Sequence, residues 1–594
     1  MSKQHDRMEV ERRLTLLQLL IFLTFGLLIT ALVFFQIVAV DEYVGLASRN
    51  RLRIIRIMPP RGIISDRNGA PLAVNVRTFN INGYPIDLQQ SANVEKICAL
   101  LRRNGIPMEG EELKALVAKQ YSAPYRAITV ASNLTLAQVA ELVMDKDFNE
   151  ALFVSPVWRR TYPAGPYTAH VIGYVGEITK EELETRKSIG YRGGDLIGKN
   201  GVEGVYETQL QGNAGQEVIE VDSKGRRLRE ISYQESERGE DMKLTIDLTA
   251  QRYAAELLEH YRGAIVAMDI TDGSIVCLFS APTYDTNPLT WGISSKEWTE
   301  LLDQAERPMM NRAISGAYPP ASTFKVVTAS AVLEHKVVST STTVRCPGYF
   351  ELGDRRFRCW QRHGHGSENV IKALRDSCDV YFYQVATWLG IDRFIATAEK
   401  FGVGERTGVD LTGESTGTIA GPAWKKRRIK ENWYGGDTVN YSIGQGYVLM
   451  TPLQVARIYA AIANGGKLFT PKVNLEKEPE YRDLGISKEI IDILQRGLQE
   501  VTASGTGRRA SQYGVAVAGK TGTAQNAHGE DHAWFAGYAP ANNPKYAVVA
   551  IAEAGKTGSS VTGPMVGKML NFLVNGTKYV EPKPAPQAQT SAAQ

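Results

Sequence analysis

The pattern of apolar and polar positions divides the chain into three stretches. Residues 14–40 carry no charge and are rich in Leu, Ile, Phe and Val. One helix of that length crosses a bilayer, for which about 20 apolar residues suffice. Past it the pattern is mixed. A basic, extended run at residues 51–57 precedes Gly62-Ile63-Ile64-Ser65-Asp66-Arg67-Asn68-Gly69, which reads as a strand and an Asn-Gly hairpin turn. Helical spacing covers 94–119, interrupted by Gly105 and Pro107, and returns over 136–144. Residues 151–157 and the alternating 217–221 read as strands.

The third stretch begins near Met242. A helix over 250–261 leads to apolar strands at 263–269 and 274–279 around Thr271-Asp272-Gly273. Helical patterns follow at 321–335, 371–389, 453–464 and 488–504. Strands return at 516–521, 533–538 and 546–552, before a last helix over 566–574. Strands at both ends with helices between them predict an α/β (α+β) layered domain on a largely antiparallel sheet. Residues 582–594 are mostly Pro, Ala and Gln, the composition of a disordered tail.

Composition changes this picture little. With 594 residues the chain has room for about three folded units, and a net charge of +4 is too even to argue for nucleic acid. Charge placement says more. Arg12 and Arg13 precede the apolar span, whereas Asp41 and Glu42 follow it. That asymmetry puts the N-terminus in the cytoplasm and the rest outside. A cleaved signal peptide would have a shorter apolar core and a small-residue cleavage site, and no convincing site follows. The expected layout is a cytoplasmic tail (1–13), a single-pass anchor (14–40), a mixed α+β spacer (41–240), an α/β domain (241–578) and a tail (579–594). No catalytic constellation is visible in 41–240.

Chemistry concentrates in the α/β domain. Ser322-Thr323-Phe324-Lys325 follows Tyr318-Pro319-Pro320-Ala321 and enters a helix, so Ser322 and Lys325 share one face. A serine hydroxyl needs a base to become a nucleophile, and a lysine one turn away serves if it is kept neutral. Alone, the pair is as well explained by a helix-start serine and a solvated lysine. Two further motifs change that: Ser377-Cys378-Asp379, entering an aromatic helix, and Lys520-Thr521-Gly522-Thr523, ending a strand. Ser377 and Lys520 would relay a proton, and Gly522 would leave room for a substrate backbone at the strand edge.

These three motifs resemble those of the penicillin-binding transpeptidases, which share a fold with the serine β-lactamases. Pro59-x-Arg61-Gly62-Ile63-Ile64-x-Asp66-Arg67-Asn68-Gly69 and Gly198-Lys199-x-Gly201-x-Glu203 resemble the pedestal, or dimerisation, segments of class B enzymes. Asn311-Arg312-Ala313, Trp433-Tyr434-x-Gly436-Asp437-Thr438 and Gly444-Gln445-Gly446-Tyr447 resemble the elongation-type subfamily, as does Asp379 where most of the wider family has asparagine. The resemblance implies a peptidoglycan D,D-transpeptidase of cell elongation and rod shape, with no cofactor for its chemistry. Ser322 would attack the penultimate D-alanine of a stem peptide, with Lys325, Ser377, Asp379 and Lys520 managing protons and charge. Backbone N–H groups of Ser322 and Thr523 would form the oxyanion hole, while Thr521, Gly522 and Thr523 would hold the substrate. β-Lactams would acylate Ser322. A class B enzyme lacks a polymerising domain, which implies a SEDS-type membrane glycosyltransferase and other rod-complex proteins as partners. It also implies a bacterial inner membrane, with the catalytic domain in the periplasm. The competing readings are a carboxypeptidase or β-lactamase, which passes the acyl group to water, and a non-enzymatic β-lactam sensor or scaffold.

Three of the five cysteines fall close together, as Cys346-x12-Cys359-x5-His365-x12-Cys378, enough soft ligands for a tetrahedral zinc site. Outside the cytoplasm a Cys346–Cys359 disulfide competes, as do unconnected thiols. His363 is an alternative to His365, and the resemblance favours His365 and zinc. Cys98 and Cys277 lie in apolar segments and read as buried small hydrophobes. Trp424-Lys425-Lys426-Arg427-Arg428 reads as a solvated loop, or else as a contact for anionic glycan or a partner. The run from His532 to Phe535 reads as the return strand of the sheet, with Trp534 lining the cleft.

Overall fold

The computed structural model describes residues 2–40, 51–89, 91–119, 127–222, 227–526 and 529–576. The expected tail at 579–594 lies outside the described residues. The N-terminal helix Ser2–Val33 continues as a π-helical turn, Phe34–Val38. Within it, residues 7–38 are long and apolar enough to cross a membrane.

The remainder separates into two compact units, neither contiguous in sequence. The first contains residues 77–158 and 212–238, along with the N-terminal 60. In it an antiparallel sheet pairs Leu52–Ile57 with Gly215–Val221, and that strand with Arg227–Gln234. The interrupted helical pattern at 94–119 is two helices, Ser91–Arg103 and Gly110–Lys119, around an apolar core that includes Cys98.

The second unit contains residues 61–76, 159–211 and 239–594. Its centre is a five-stranded antiparallel sheet of β1 (Gly263–Asp269), β2 (Ile275–Ala281), β3 (Ala518–Ala524), β4 (His532–Ala539) and β5 (Tyr546–Ala552), in the order β2-β1-β5-β4-β3. Side chains alternate across it. Ala264, Val266 and Met268 face one core, whereas Ile265 and Ala267 face another with helices Leu248–Leu257 and Thr562–Asn575. Burial on both faces explains why these strands are continuously apolar rather than alternating. The first core also takes α1 (Lys325–Glu334), α2 (Val370–Arg375), α3 (Asp379–Leu389), α4 (Pro452–Ala463) and α5 (Lys488–Ala503).

The two class B-like segments meet in this unit. Arg61 Nη2 lies 2.8 Å from both Glu203 Oε2 and Glu207 Oε2, and Arg160 Nε lies 2.7 Å from Glu203 Oε1. All four residues are buried, and their formal charges cancel. Burial raises the Glu203 pKa, but Arg160 and Arg61 outweigh it and leave the group below the usual carboxylate range.

Candidate active site

The nucleophile candidate sits on a held turn. Tyr318 exchanges backbone hydrogen bonds with Met450, at 3.0 and 2.8 Å. Ala321 then takes a left-handed conformation, φ 50°, and donates its N–H to Gly444 O at 2.9 Å. A Cβ on Gly444 would stand 2.3 Å from Ala321 O, so only glycine allows this approach. Ser322 lies on the 3₁₀ turn Ala321–Phe324, where N–H groups lack intrahelical partners, and Lys325 opens α1. Ser322 is partly buried, and its hydroxyl makes no hydrogen bond among the described residues.

The second motif occupies a break that the sequence pattern did not show. In place of one helix over 371–389 there are two, α2 and α3, separated at residues 376–378. Ser377 is left-handed, φ 54°, which an α-helix of L-residues cannot contain, and Cys378 starts the new helix by accepting the Tyr381 N–H on its sulfur at 3.5 Å. Asp379 is the first residue of α3. Lys520 comes from β3, the open edge of the sheet.

These elements bring four side chains into one cluster. Lys325 Nζ lies 2.7 Å from Asp379 Oδ1, 2.9 Å from Ser377 O and 3.2 Å from Ser377 Oγ. Lys520 Nζ donates to the same Ser377 hydroxyl at 2.8 Å and to Thr521 O at 3.2 Å. Both lysines are fully buried. Burial first, then repulsion from Lys325, holds the Lys520 pKa well below that of an ordinary lysine, against the attraction of Asp379.

Along β3 the three substrate candidates differ. Thr521 is buried, its hydroxyl bonded to Thr506 Oγ1 at 2.9 Å, whereas Thr523 is exposed. Gln445 Nε2 donates to Thr523 O at 3.3 Å, so the polar backbone groups of Thr523 point away from β4. The space a Cβ would take at Gly522 is bounded by Trp534 Cβ at 3.0 Å and Thr323 Cγ2 at 3.1 Å. Packing of the strand against the serine turn therefore favours glycine here. Trp534, expected to line the cleft, is fully buried in the core under that glycine. Thr506 and Trp360 carry no signal in the sequence. Trp360 donates its N–H to Asp379 Oδ2 at 3.0 Å and its indole N–H to Ser377 O at 3.1 Å. The basic run is a helix, Pro422–Arg428, and Lys425 leaves it to pair with Asp437 at 2.8 Å in a buried position, while Lys426, Arg427 and Arg428 stay exposed.

Residues 263–571 match the family described as the penicillin binding protein transpeptidase domain, and residues 56–244 match the penicillin-binding protein dimerisation domain. The chain belongs to the penicillin-binding proteins. It is 36% identical to the peptidoglycan D,D-transpeptidase MrdA of Haemophilus influenzae, over 97% of this chain and 93% of that one. It resembles the penicillin-binding protein PBP2 of Helicobacter pylori, solved in complex with MreC, with a TM-score of 0.80 at 32% identity, over 89% of this chain and 99% of that one. A structure described as a peptidoglycan synthase complex that coordinates polymerisation and cross-linking contains a chain similar at TM-score 0.74 and 30% identity, over 96% and 99% of the two.

Next to the cluster of Lys325, Ser377, Asp379 and Lys520 in this penicillin-binding protein lies the thiol group. One ligand atom from each of Cys346, Cys359, His365 and Cys378 falls within 4.8 Å of every other. His365 Nδ1 is 3.5 Å from Cys359 Sγ and 3.7 Å from Cys346 Sγ. Zinc–sulfur bonds near 2.3 Å give tetrahedral edges of about 3.7 Å, so the donor set fits zinc in number, type and spacing. No disulfide joins them: all five cysteines are free thiols. Hydrogen bonds from Cys378 and His365 pull the Cys359 thiol far below its usual pKa despite burial, while the Cys359 contact and burial push Cys378 up.

Proposed function

We propose that this chain is a peptidoglycan D,D-transpeptidase of cell elongation and a β-lactam target, with Ser322 as its nucleophile. The observation that carries the assignment of roles is the convergence on the Ser377 hydroxyl of two fully buried lysines, Lys325 one helical turn after Ser322 and Lys520 on an edge strand. Ser322 Oγ attacks the carbonyl carbon of the penultimate D-alanine, and the C–N bond to the terminal D-alanine breaks. The serine proton passes to Lys325, then through Ser377 Oγ and Lys520 to the leaving amine. Asp379 Oδ1, 2.7 Å from Lys325 Nζ, holds that amine in place. The N–H groups of Ser322 and Thr523 receive the oxyanion, a donor typically worth about 3 kcal/mol. A second stem's amine then attacks the acyl-enzyme, the ester breaks, and Ser322 recovers its proton. Fluorescent penicillin labels wild type and fails to label Ser322→Ala; undiminished labelling of the mutant overturns the assignment. With a pentapeptide and an amine acceptor the product is a cross-link, and free acid alone would mark a carboxypeptidase.

The apolar N-terminal helix anchors the chain, with the Arg12-Arg13 side in the cytoplasm and the catalytic unit in the periplasm. The relatives described with MreC and in a complex that coordinates polymerisation with cross-linking support rod-complex partners; a SEDS-type glycosyltransferase is the partner that the family resemblance implies. Cys346, Cys359, His365 and Cys378 would hold a structural zinc, which supplies no chemistry but ties the turn carrying Ser377 to the loop carrying Trp360. Cys378→Ala is expected to lose stoichiometric zinc and slow acylation; zinc loss with unchanged acylation and melting temperature removes that role.

A further inference from the structure

Ser377 holds an unusual position twice over. Its backbone is left-handed without being glycine, a conformation that persists only when the surroundings impose it. Its carbonyl accepts two donors, Lys325 Nζ at 2.9 Å and the Trp360 indole N–H at 3.1 Å. The same indole N–H is shared with Asp376 O at 3.1 Å, so it spans the break between α2 and α3. The main-chain N–H of Trp360 meets Asp379 Oδ2 at 3.0 Å, the oxygen that Lys325 leaves free. Trp360 thus bonds Asp376, Ser377 and Asp379 around the Ser377 turn, yet the residue is 55% exposed. An exposed tryptophan whose polar atoms are all directed inward is not explained by core packing.

We propose that Trp360 is a positioning residue for the acylation step: its indole N–H fixes the left-handed Ser377, and its backbone fixes the free oxygen of Asp379. The hydroxyl of Ser377 then stays between Lys325 and Lys520 while the proton moves. This rests on the acyl-enzyme reading above, and it adds a residue outside the three motifs. His365 stacks near the same indole, ring centres 5.3 Å apart, so the loop that carries Trp360 is braced from its far side.

The test is Trp360→Phe in the full-length, detergent-solubilised protein, which keeps the ring and the backbone amide and removes only the indole N–H. Acylation by fluorescent penicillin is expected to slow about tenfold, the size of one well-placed hydrogen bond. The loss should fall in the acylation rate constant, with the dissociation constant of the non-covalent complex unchanged. In a Ser377→Ala background the same substitution should change the rate less than about twofold, because the two residues act as one unit. A wild-type acylation rate in Trp360→Phe overturns the proposal, as does a full tenfold loss in the Ser377→Ala background. A loss matched by a lowered unfolding temperature also overturns it, since it would then be structural. In each of these outcomes Ser322 still takes the label, which separates failure here from failure of the acyl-enzyme reading.

Discussion

The second unit contains two buried ionic clusters, and they are built to opposite ends. In one, Arg61 and Arg160 meet Glu203 and Glu207, two charges of each sign, with separations of 2.7–2.8 Å. In the other, Lys325 and Lys520 meet at one hydroxyl, Ser377, and the single carboxylate, Asp379, pairs with Lys325. A balanced network can stay fully ionised in the interior because each desolvated charge has its partner. An unbalanced one cannot, and Lys520 yields: its pKa is held well below the ordinary lysine value. Balance makes structure. Burial and an uncompensated neighbouring cation make a lysine that gives up its proton more readily than an ordinary one, which favours a role in proton transfer.

Substitutions should separate the two. The largest effect is expected from Glu203→Ala, which takes from buried Arg160 its only carboxylate among the described residues and leaves two arginines to the one carboxylate of Glu207, and should destabilise the fold by about 3–5 kcal/mol. Thermal unfolding reads it, and a loss below about 1 kcal/mol would show that the network holds little. Next is Lys520→Met, which removes a buried amine of similar length. It should slow penicillin acylation by about two orders of magnitude, in the range of a lost oxyanion donor, while leaving the unfolding temperature unchanged or raised. Destabilisation instead of slowed acylation would erase the contrast.

Gly522→Ala comes third. Its Cβ would press Trp534 and Thr323 at 3.0 and 3.1 Å, costing about 1–2 kcal/mol and shifting the serine turn, seen as lowered stability and slowed acylation together. The smallest effect concerns pH. Lys520 binds more protons unfolded than folded, so its contribution to stability rises with pH from its depressed folded value up to about 10.4 and is least below it. Glu203 behaves oppositely. Its contribution is complete above about 4.3 and disappears as acid protonates it. The stability difference between wild type and Lys520→Met should therefore slope through the alkaline range, whereas that for Glu203→Gln should be flat there.

The sequence made some of this legible for clear reasons. Strands buried on both faces announce themselves as apolar runs, so β1, β4 and β5 are found almost at their true limits. Ser322 and Lys325 are one helical turn apart, which is a local relation. What could not be read is non-local or conformational. The break at 376–378 contains neither Gly nor Pro, because Ser377 is held left-handed by Lys325 and Trp360 rather than by its own preference. The Arg61–Glu203 pair spans 142 residues, and nothing near either one names the other. Gly522 was legible as a place where a side chain would intrude, but its closeness to Trp534 and Thr323 was not, because only the folded sheet brings them near.

The open edge of β3 has a further consequence. A peptide that adds to an edge strand is read in steps of about 3.4 Å, with successive carbonyls turned to opposite sides. A slip of one residue would turn the reactive carbonyl away from Ser322, and a slip of two would carry it a full repeat beyond. Selection of the bond to be broken is then a matter of register. On the proposed function, the enzyme would measure its substrate along the strand, with Ser322 at one graduation of that ruler.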